Sequence, residues 1–516
     1  MKKKLPQLNE KFVTENLLGT KIADFKQGIL ELPEKVIQFG EGNFLRGFVN
    51  WMFHEMNKNG IFNGSSVVIQ PIPQGRVDNL NNQDFLYTVI LRGIQNGKVV
   101  EKKQIVTSVS RGLKSYGDWE KILELAEKPE MEFVVSNTTE AGITYNPSDK
   151  LEATPPDSFP GKLTAYLYRR YQYFNGADDK GMIIIPVELI ENNGDNLRKI
   201  IIKLAKDWGL ESGFIEWIKN ANTFFNTLVD RITTGYPENE IEEIENNLGY
   251  RDENMVAAEI FHSWYIEGDE KFKEKLPFHK ADLNVKWVDD LKPYRTRKVR
   301  ILNGAHTSTV PVSFLYGIDT VREAVNDDVV GEFISQIMFD EVIPTLDSDK
   351  EEMEDFADKI IERFKNPFIE HKWLDISLNS ISKFKTRVLP SLLQYEEKYN
   401  KLPRGIVFSL ASLVKFYQGQ QLKENKLLAT RNGEEYLIND DQSVLEFFLN
   451  LWNAYHQDEI DIKELVQQVL GNEDFWDQDL NDLPGLKNQV ENNIRKIEDK
   501  GMKKCLKLLL EGELNE

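Results

Sequence analysis

Three residues within nine positions carry the chemical argument: Lys298, Asn303 and His306, in the stretch RKVRILNGAHT (297–307). At 100° per helical residue, Asn303 and His306 fall about 60° apart, and Lys298 lies about 80° from His306. The long lysine stem can swing across that gap. An amine, an amide and an imidazole then converge on one substrate oxygen. Alcohol–ketone redox chemistry needs that set: a base for the hydroxyl proton, and donors that steady the oxygen as charge develops. A capped surface helix would carry the same three residues, so the elements around them have to decide.

An earlier stretch supplies a partner for such chemistry. KVIQF (35–39) is a short apolar run of the buried-strand type, and Gly40-Glu41-Gly42 follows at once. From Phe44 to Met56 the apolar spacing is helical. Strand, Gly-rich turn and helix form the dinucleotide-binding context, in which glycines let the backbone approach a pyrophosphate at a helix N-terminus. The spacing is GxGxxxxG rather than GxGxxG, and a tight turn without a ligand also fits it. The next strand, SVVIQ (66–70), ends without the acid that commonly binds ribose hydroxyls. Arg76 nearby would suit a 2′-phosphate or simply be a solvated loop residue, so NAD and NADP both stay open.

Further elements follow in order. Asn96-Gly97 predicts a hairpin between Phe85–Leu91 and Val99–Val109, giving a mixed sheet in the Rossmann domain. EFVVS (132–136) is a core strand whose polar sequel, Asn137 to Glu140, falls where a nicotinamide would lie. Helical spacing covers Leu163–Tyr173, and MIIIP (182–186) is another strand. Glu188 is either a functional carboxylate or an ordinary helix-start acid. Asp230 and Arg231 interrupt an apolar run and read as a buried ion pair. The charged stretch 267–291 marks a junction, so the expected domains are 1–285 and 286–516. Helical patterns dominate the second, including Val321–Val330, Val329–Met338, Lys350–Phe364 and Val444–Tyr455. ISLNSISKFKTRVL (376–389) adds a basic cluster with Lys383, Lys385 and Arg387.

Composition narrows the partners. With 516 residues, two or three domains are expected. The net charge of −20 argues against nucleic acid and anionic membrane surfaces. Basic clusters at 295–300 and 383–387 would then serve a small anionic substrate. Cys505 is the sole cysteine, and the six histidines are scattered, which gives no metal-ligand spacing. Without a signal peptide or a long apolar run, the chain reads as cytoplasmic.

Taken together, QFGEGNFLRGF (38–48), LVDRI (228–232) and the Lys298, Asn303 and His306 pattern resemble the mannitol dehydrogenase family, the long-chain polyol and hexuronate dehydrogenases. The resemblance runs from about residue 35 to residue 420. PVELIENNGDNL (186–197), KVRILNGAHTSTVP (298–311) and NPFIEHKWLDISLNSISKFKTRVLPSLL (366–393) are closest to its hexuronate members. The resemblance implies an α/β fold: a Rossmann-type N-terminal domain with the inserted hairpin, then a mostly α-helical C-terminal domain. It implies NAD and no metal, a sugar-acid substrate, Lys298 as general base, and Asn303 and His306 on the reacting oxygen. Phe39, Gly40, Gly42, Asn43, Phe44, Asn137, Glu140 and Asp230 form the expected cofactor set, with Lys383 and Arg300 toward the substrate. Two departures stand out. Polyol members carry Cys-Asp-Asn where this chain has Val187-Glu188-Leu189, and an arginine where it has Asp375. Both favour a substrate other than mannitol. A protein that senses NADH without chemistry is the rival of another class.

Overall fold

The computed structural model describes residues 5–514. Contacts divide the chain into two compact units, Met1–Leu291 and Lys292–Glu516.

The first unit is organised on apolar strands. β1 (Glu34–Phe39) and β2 (Ser65–Gln70) lie parallel in register, with Ile37 opposite Val67 and Phe39 opposite Ile69. A hairpin follows, β3 (Tyr87–Gln95) and β4 (Lys98–Val106). Asn96 and Gly97 turn it with φ of 54° and 71°, the left-handed pair that a two-residue turn requires. The chain continues through β5 (Val109–Lys114), β6 (Phe133–Ser136), β7 (Ile183–Pro186) and the short β8 (Thr223–Phe224). The six-stranded sheet runs β5-β2-β1-β6-β7-β8, all parallel, which is the doubly wound order of a Rossmann-type domain. Alternation sends Val36, Val68 and Val135 into one core and Ile37, Val67 and Val134 into the other, so helices cover both faces.

The hairpin lies in a mixed sheet, as expected, and that sheet is separate from the six-stranded parallel one. Val109 belongs to β5, and Thr107-Ser108 separates it from β4. β4 carries exposed Glu101 and Lys102, which a central parallel strand would bury. The hairpin instead joins strands that come later: β9 (Asn226–Asp230), β10 (Thr233–Gly235), β11 (Val256–Glu259), β12 (Ser263–Glu267) and β13 (Val285–Val288). These form a mixed sheet β10-β11-β3-β4 and a smaller one, β13-β12-β9. The lead-in before β1 also has more structure than its charge suggests. Leu8, Val13, Phe25 and Ile29 bury themselves against Leu86, Ile105 and Tyr250.

The second unit is mostly helical, with one large core. It contains α1 (Gly304–Tyr316), α2 (Lys350–Phe364), α3 (Ser380–Arg387), α4 (Leu389–Tyr399) and α5 (Arg404–Phe416). Ser409 on α5 donates to the Ser308 carbonyl of α1 (2.7 Å). An antiparallel meander of β14 (Gly419–Lys423), β15 (Lys426–Arg431) and β16 (Glu434–Ile438) interrupts the helices. Its second turn, Asn432-Gly433, has φ of 52° and 87°. That dipeptide is the same hairpin signal as Asn96-Gly97.

Candidate active site

In the first unit the backbone prepares the ligand-facing surface. β1 ends at Phe39 and the chain reverses through Gly40 at φ +116°, a conformation that side chains disfavour. A Cβ there would stand 3.0 Å from both the Asn137 carbonyl oxygen and Leu45 Cδ1. The turn is pinned on both sides: Gly40 N–H donates to the Ile69 carbonyl (2.9 Å), and Gln38 Nε2 donates to the Gly40 carbonyl (2.9 Å). The helix over 43–58 starts at Gly42, and among the described residues no side chain caps its first N–H groups. A cavity of about 420 Å³ opens beside them, lined by Gly40, Glu41, Gly42, Ile72, Asn137 and Lys162 among others. It lies past the C-terminal ends of β1, β2 and β6, where the strand order reverses. Open amides, a Cβ-free approach and this location all fit the pyrophosphate of a dinucleotide.

Of the expected cofactor set, Gly40, Gly42 and Asn137 line that cavity. Phe39, as the strand's last alternating residue, turns into the core against Phe159, with ring centroids 5.1 Å apart. Asn43 accepts from Arg46 Nη2 (2.7 Å), and Phe44 stacks on Phe48 at 4.9 Å. Asp230 closes β9 opposite Ser263. These four are outside the cavity lining, and the Glu140 side chain lies outside the described residues. Arg231 donates to the Glu259 and Gly47 carbonyls (2.9 and 2.7 Å) and lies over Trp51 at 4.2 Å.

Two further residues, Arg46 and Asn193, hold these turns in place. Arg46 is fully buried beneath the turn. It donates to the Glu41 carbonyl (3.1 Å) and to the Asn254 carbonyl, and burial lowers its pKa to about 10. An arginine inside the apolar NFLRGF start was the available signal. Asn193, within the PVELIENNGDNL phrase, ties the end of β7 to β9. Its Nδ2 donates to the Pro186 carbonyl (3.0 Å) and its Oδ1 accepts from Thr227 N (2.9 Å). Glu188 ties the end of β7 to that of β6, accepting from Thr138 N (3.0 Å) and Ser136 Oγ (3.1 Å). Burial pushes its carboxyl above the usual range against those bonds. Leu189, at the position of the missing amide, is 59% exposed.

In the second unit, Lys298–Asn303 is a π-helical segment between Lys292–Arg297 and α1. An α-helix would separate Lys298 and Asn303 by about 140°. The i→i+5 pattern brings residues five apart closer to one face, and such segments cluster at functional sites. Lys298, Asn303 and His306 are each half-buried. Aromatic neighbours orient the imidazole: Phe364 stacks on His306 at 4.4 Å and 18°, with Trp373 edge-on at 6.3 Å. His371 is edge-on to His306 at 6.2 Å. Burial lowers its pKa, Arg363 adds to that, and Asp375 opposes it.

α3 brings the basic cluster beside this helix. A Cβ on Gly304 would stand 3.2 Å from the Arg387 carbonyl, so glycine lets the two segments meet closely. Lys383 is half-buried and donates to the Ile376 carbonyl (2.9 Å). Burial lowers its pKa, with Arg387 adding and Asp440 opposing. Asp440 also accepts from Ile381 N at the start of α3 (3.5 Å) and from the Tyr417 hydroxyl. Arg300 points elsewhere. Its guanidinium is buried against Ser391 Oγ (2.7 Å), Gln394 Oε1 (2.9 Å) and Thr345 Oγ1 (3.1 Å). Arg297 pairs with Glu352 (2.8 Å), and Lys385 with Asp477 (2.8 Å).

A Rossmann-type unit with a dinucleotide-shaped turn, followed by a helical unit carrying Lys-x4-Asn-x2-His, is the build of an NAD-dependent oxidoreductase acting on CH–OH groups. The chain belongs to the mannitol dehydrogenase family: residues 34–280 match the mannitol dehydrogenase Rossmann domain and 290–498 the mannitol dehydrogenase C-terminal domain. It is 45% identical over 480 residues to the altronate oxidoreductases of Escherichia coli and Shigella flexneri, covering 93% of this chain and 97% of theirs. Two solved structures share the fold at 21% identity. Mannitol 2-dehydrogenase of Pseudomonas fluorescens, in complex with NAD and D-mannitol, aligns with a TM-score of 0.69 over 98% of this chain and 99% of that one. A substrate-free D-sorbitol dehydrogenase aligns with a TM-score of 0.79 over 96% and 99%. Among the described residues, no helix is long and apolar enough to cross a membrane.

Proposed function

We propose that this enzyme interconverts D-tagaturonate and D-altronate with NAD(H), with Lys298 as the acid–base group. The observation that carries this reading is the 45% identity, across nearly both full lengths, to altronate oxidoreductases. The local chemistry agrees with it. Leu189 and Asp375 replace the amide and the guanidinium of polyol members. Lys383, half-buried beside Arg387, offers a cation to a substrate carboxylate. Arg300 drops out of that role, because its fork is spent on neutral oxygens inside the helical unit.

When bound, the nicotinamide accepts or returns the hydride. In oxidation Lys298 Nζ takes the hydroxyl proton as the carbinol carbon gives up hydride, and in reduction Lys298 returns that proton to the new hydroxyl. Asn303 and His306 donate to the reacting oxygen and hold it as charge develops.

The test follows NADH absorbance with tagaturonate, fructuronate, fructose and fructose 6-phosphate. Fast oxidation with tagaturonate is the expected result. Preference for fructuronate, or turnover of neutral or phosphorylated sugars alone, would discard tagaturonate while keeping the family and its lysine. NADH binding without turnover of any of the four would favour a sensor.

A further inference from the structure

The strand that ordinarily supplies the acid for the adenosine ribose lacks one here. β2 ends in Gln70, and its side chain is already engaged. Nε2 donates to the Ile72 and Pro73 carbonyls (both 3.0 Å), and Oε1 accepts from Val77 N (3.3 Å). Gln70 therefore folds the 71–77 loop back on itself and has little left for a ligand. A buried carboxylate from the Gly-rich turn bonds that loop. Glu41 lines the same cavity as Pro71 and Ile72, is only 9% exposed, and accepts from Arg76 N at 3.3 Å. A Cβ on Gly75 would stand 2.2 Å from Glu41 Oε1 and 2.4 Å from the Gln70 amide carbon. The loop can lie against this carboxylate only because residue 75 has no side chain.

We infer that Glu41 is the group that binds the adenosine ribose hydroxyls and rejects a 2′-phosphate, so that selectivity for NAD over NADP resides in the Gly-rich turn rather than at the end of β2. This rests on the reading of the cavity as a dinucleotide site. In doubly wound folds the ribose of the adenosine falls between the first βα turn and the end of the second strand, which is where Glu41 and the 71–77 loop meet. A carboxylate offers about four lone-pair positions, and the amides of Glu41 and Arg76 use two at most. Burial pushes its carboxyl up against the pull of Arg46 and Arg76, so two hydroxyl donors would relieve a poorly solvated anion. A 2′-phosphate would bring two negative charges against it. The Arg76 side chain is exposed, so water screens its charge, and its backbone N–H is what bonds Glu41.

The test is direct binding of NADH and NADPH, read by quenching of tryptophan fluorescence, for the full-length protein and for Glu41→Gln, Glu41→Asp and Arg76→Ala. The unaltered protein should bind NADH about 10- to 100-fold more tightly, the range of one or two charge-assisted hydrogen bonds. Glu41→Gln should weaken NADH and tighten NADPH until the two nearly match. Glu41→Asp, which keeps the charge, should still reject NADPH. Arg76→Ala should leave the ratio alone. An unchanged ratio in Glu41→Gln, or a ratio that moves only in Arg76→Ala, overturns the inference and leaves the dinucleotide site standing. Failure of the unaltered protein to bind either nucleotide overturns both.

Discussion

Around Gly40 the helix-start groups that would face a ligand belong to the backbone, with the Glu41 carboxylate beside them, whereas around Lys298 the polar groups belong to side chains. The turn needs the absence of atoms: a Cβ at Gly40 meets the Asn137 carbonyl oxygen and Leu45 at 3.0 Å. The proposed role of the helix needs particular atoms, Nζ, an amide and an imidazole, in a phase that a π-helical segment adjusts. Gly40 should therefore respond to added volume, and the helix to identity at constant volume.

The largest effect expected from this contrast is in Lys298→Ala. Turnover should fall by about two to four powers of ten, while NADH binding, which rests on the other unit, stays near normal. Single-turnover kinetics with fluorescence titration checks both halves, and near-normal turnover would remove Lys298 from the mechanism. Gly40→Ala is the mirror experiment. It should weaken NADH about 10- to 100-fold and destabilise the Rossmann unit by about 1–3 kcal/mol. A variant that binds NADH normally would mean that the turn does not cradle the ligand.

A third prediction sharpens the side-chain half. Glu341 accepts from Gly405 N and Ile406 N at the start of α5 (2.7 and 2.8 Å), yet burial outweighs those bonds and lifts its pKa from 4.5 to about 7. The folded state thus favours the protonated form. Its contribution to stability is fully present below pH 4.5 and is lost as pH rises through about 7, by at most about 3 kcal/mol. Thermal melts from pH 4.5 to 8 should show this decline, and Glu341→Gln should flatten it. An identical pH slope in the variant would refute the assignment. The smallest effect is in Asp440→Ala, which removes the acceptor at the start of α3. It should raise KM for the sugar acid up to about tenfold, as loss of a cap loosens the helix carrying Lys383. NADH affinity should not move.

The sequence was most readable where a local rule acts alone. Apolar runs marked β1, β2, β6 and β7, because strands buried on both faces tolerate little else. Asn96-Gly97 marked its hairpin, because few dipeptides accept two left-handed residues. Asn432-Gly433 carries the same mark, but the helical patterns on either side of it mask the signal. The Lys298, Asn303 and His306 spacing was visible, but its helical phase was not, since an α-helix and a π-segment share residue preferences and differ by one hydrogen-bond step.

The sequence by itself determined the chemical inventory: glycines where the backbone must come close, three reactive side chains within nine residues, and strands too apolar to lie anywhere but inside. Tertiary structure alone decided which partners each polar group would take. It directed Arg300 to Ser391 and Gln394, turned Phe39 into the core, set His371 beside His306, and laid the 71–77 loop against Glu41. Residue type records what a side chain can bond to. Burial and long-range contact settle what it does bond to, because a polar group removed from water must take whatever partner the fold brings within reach.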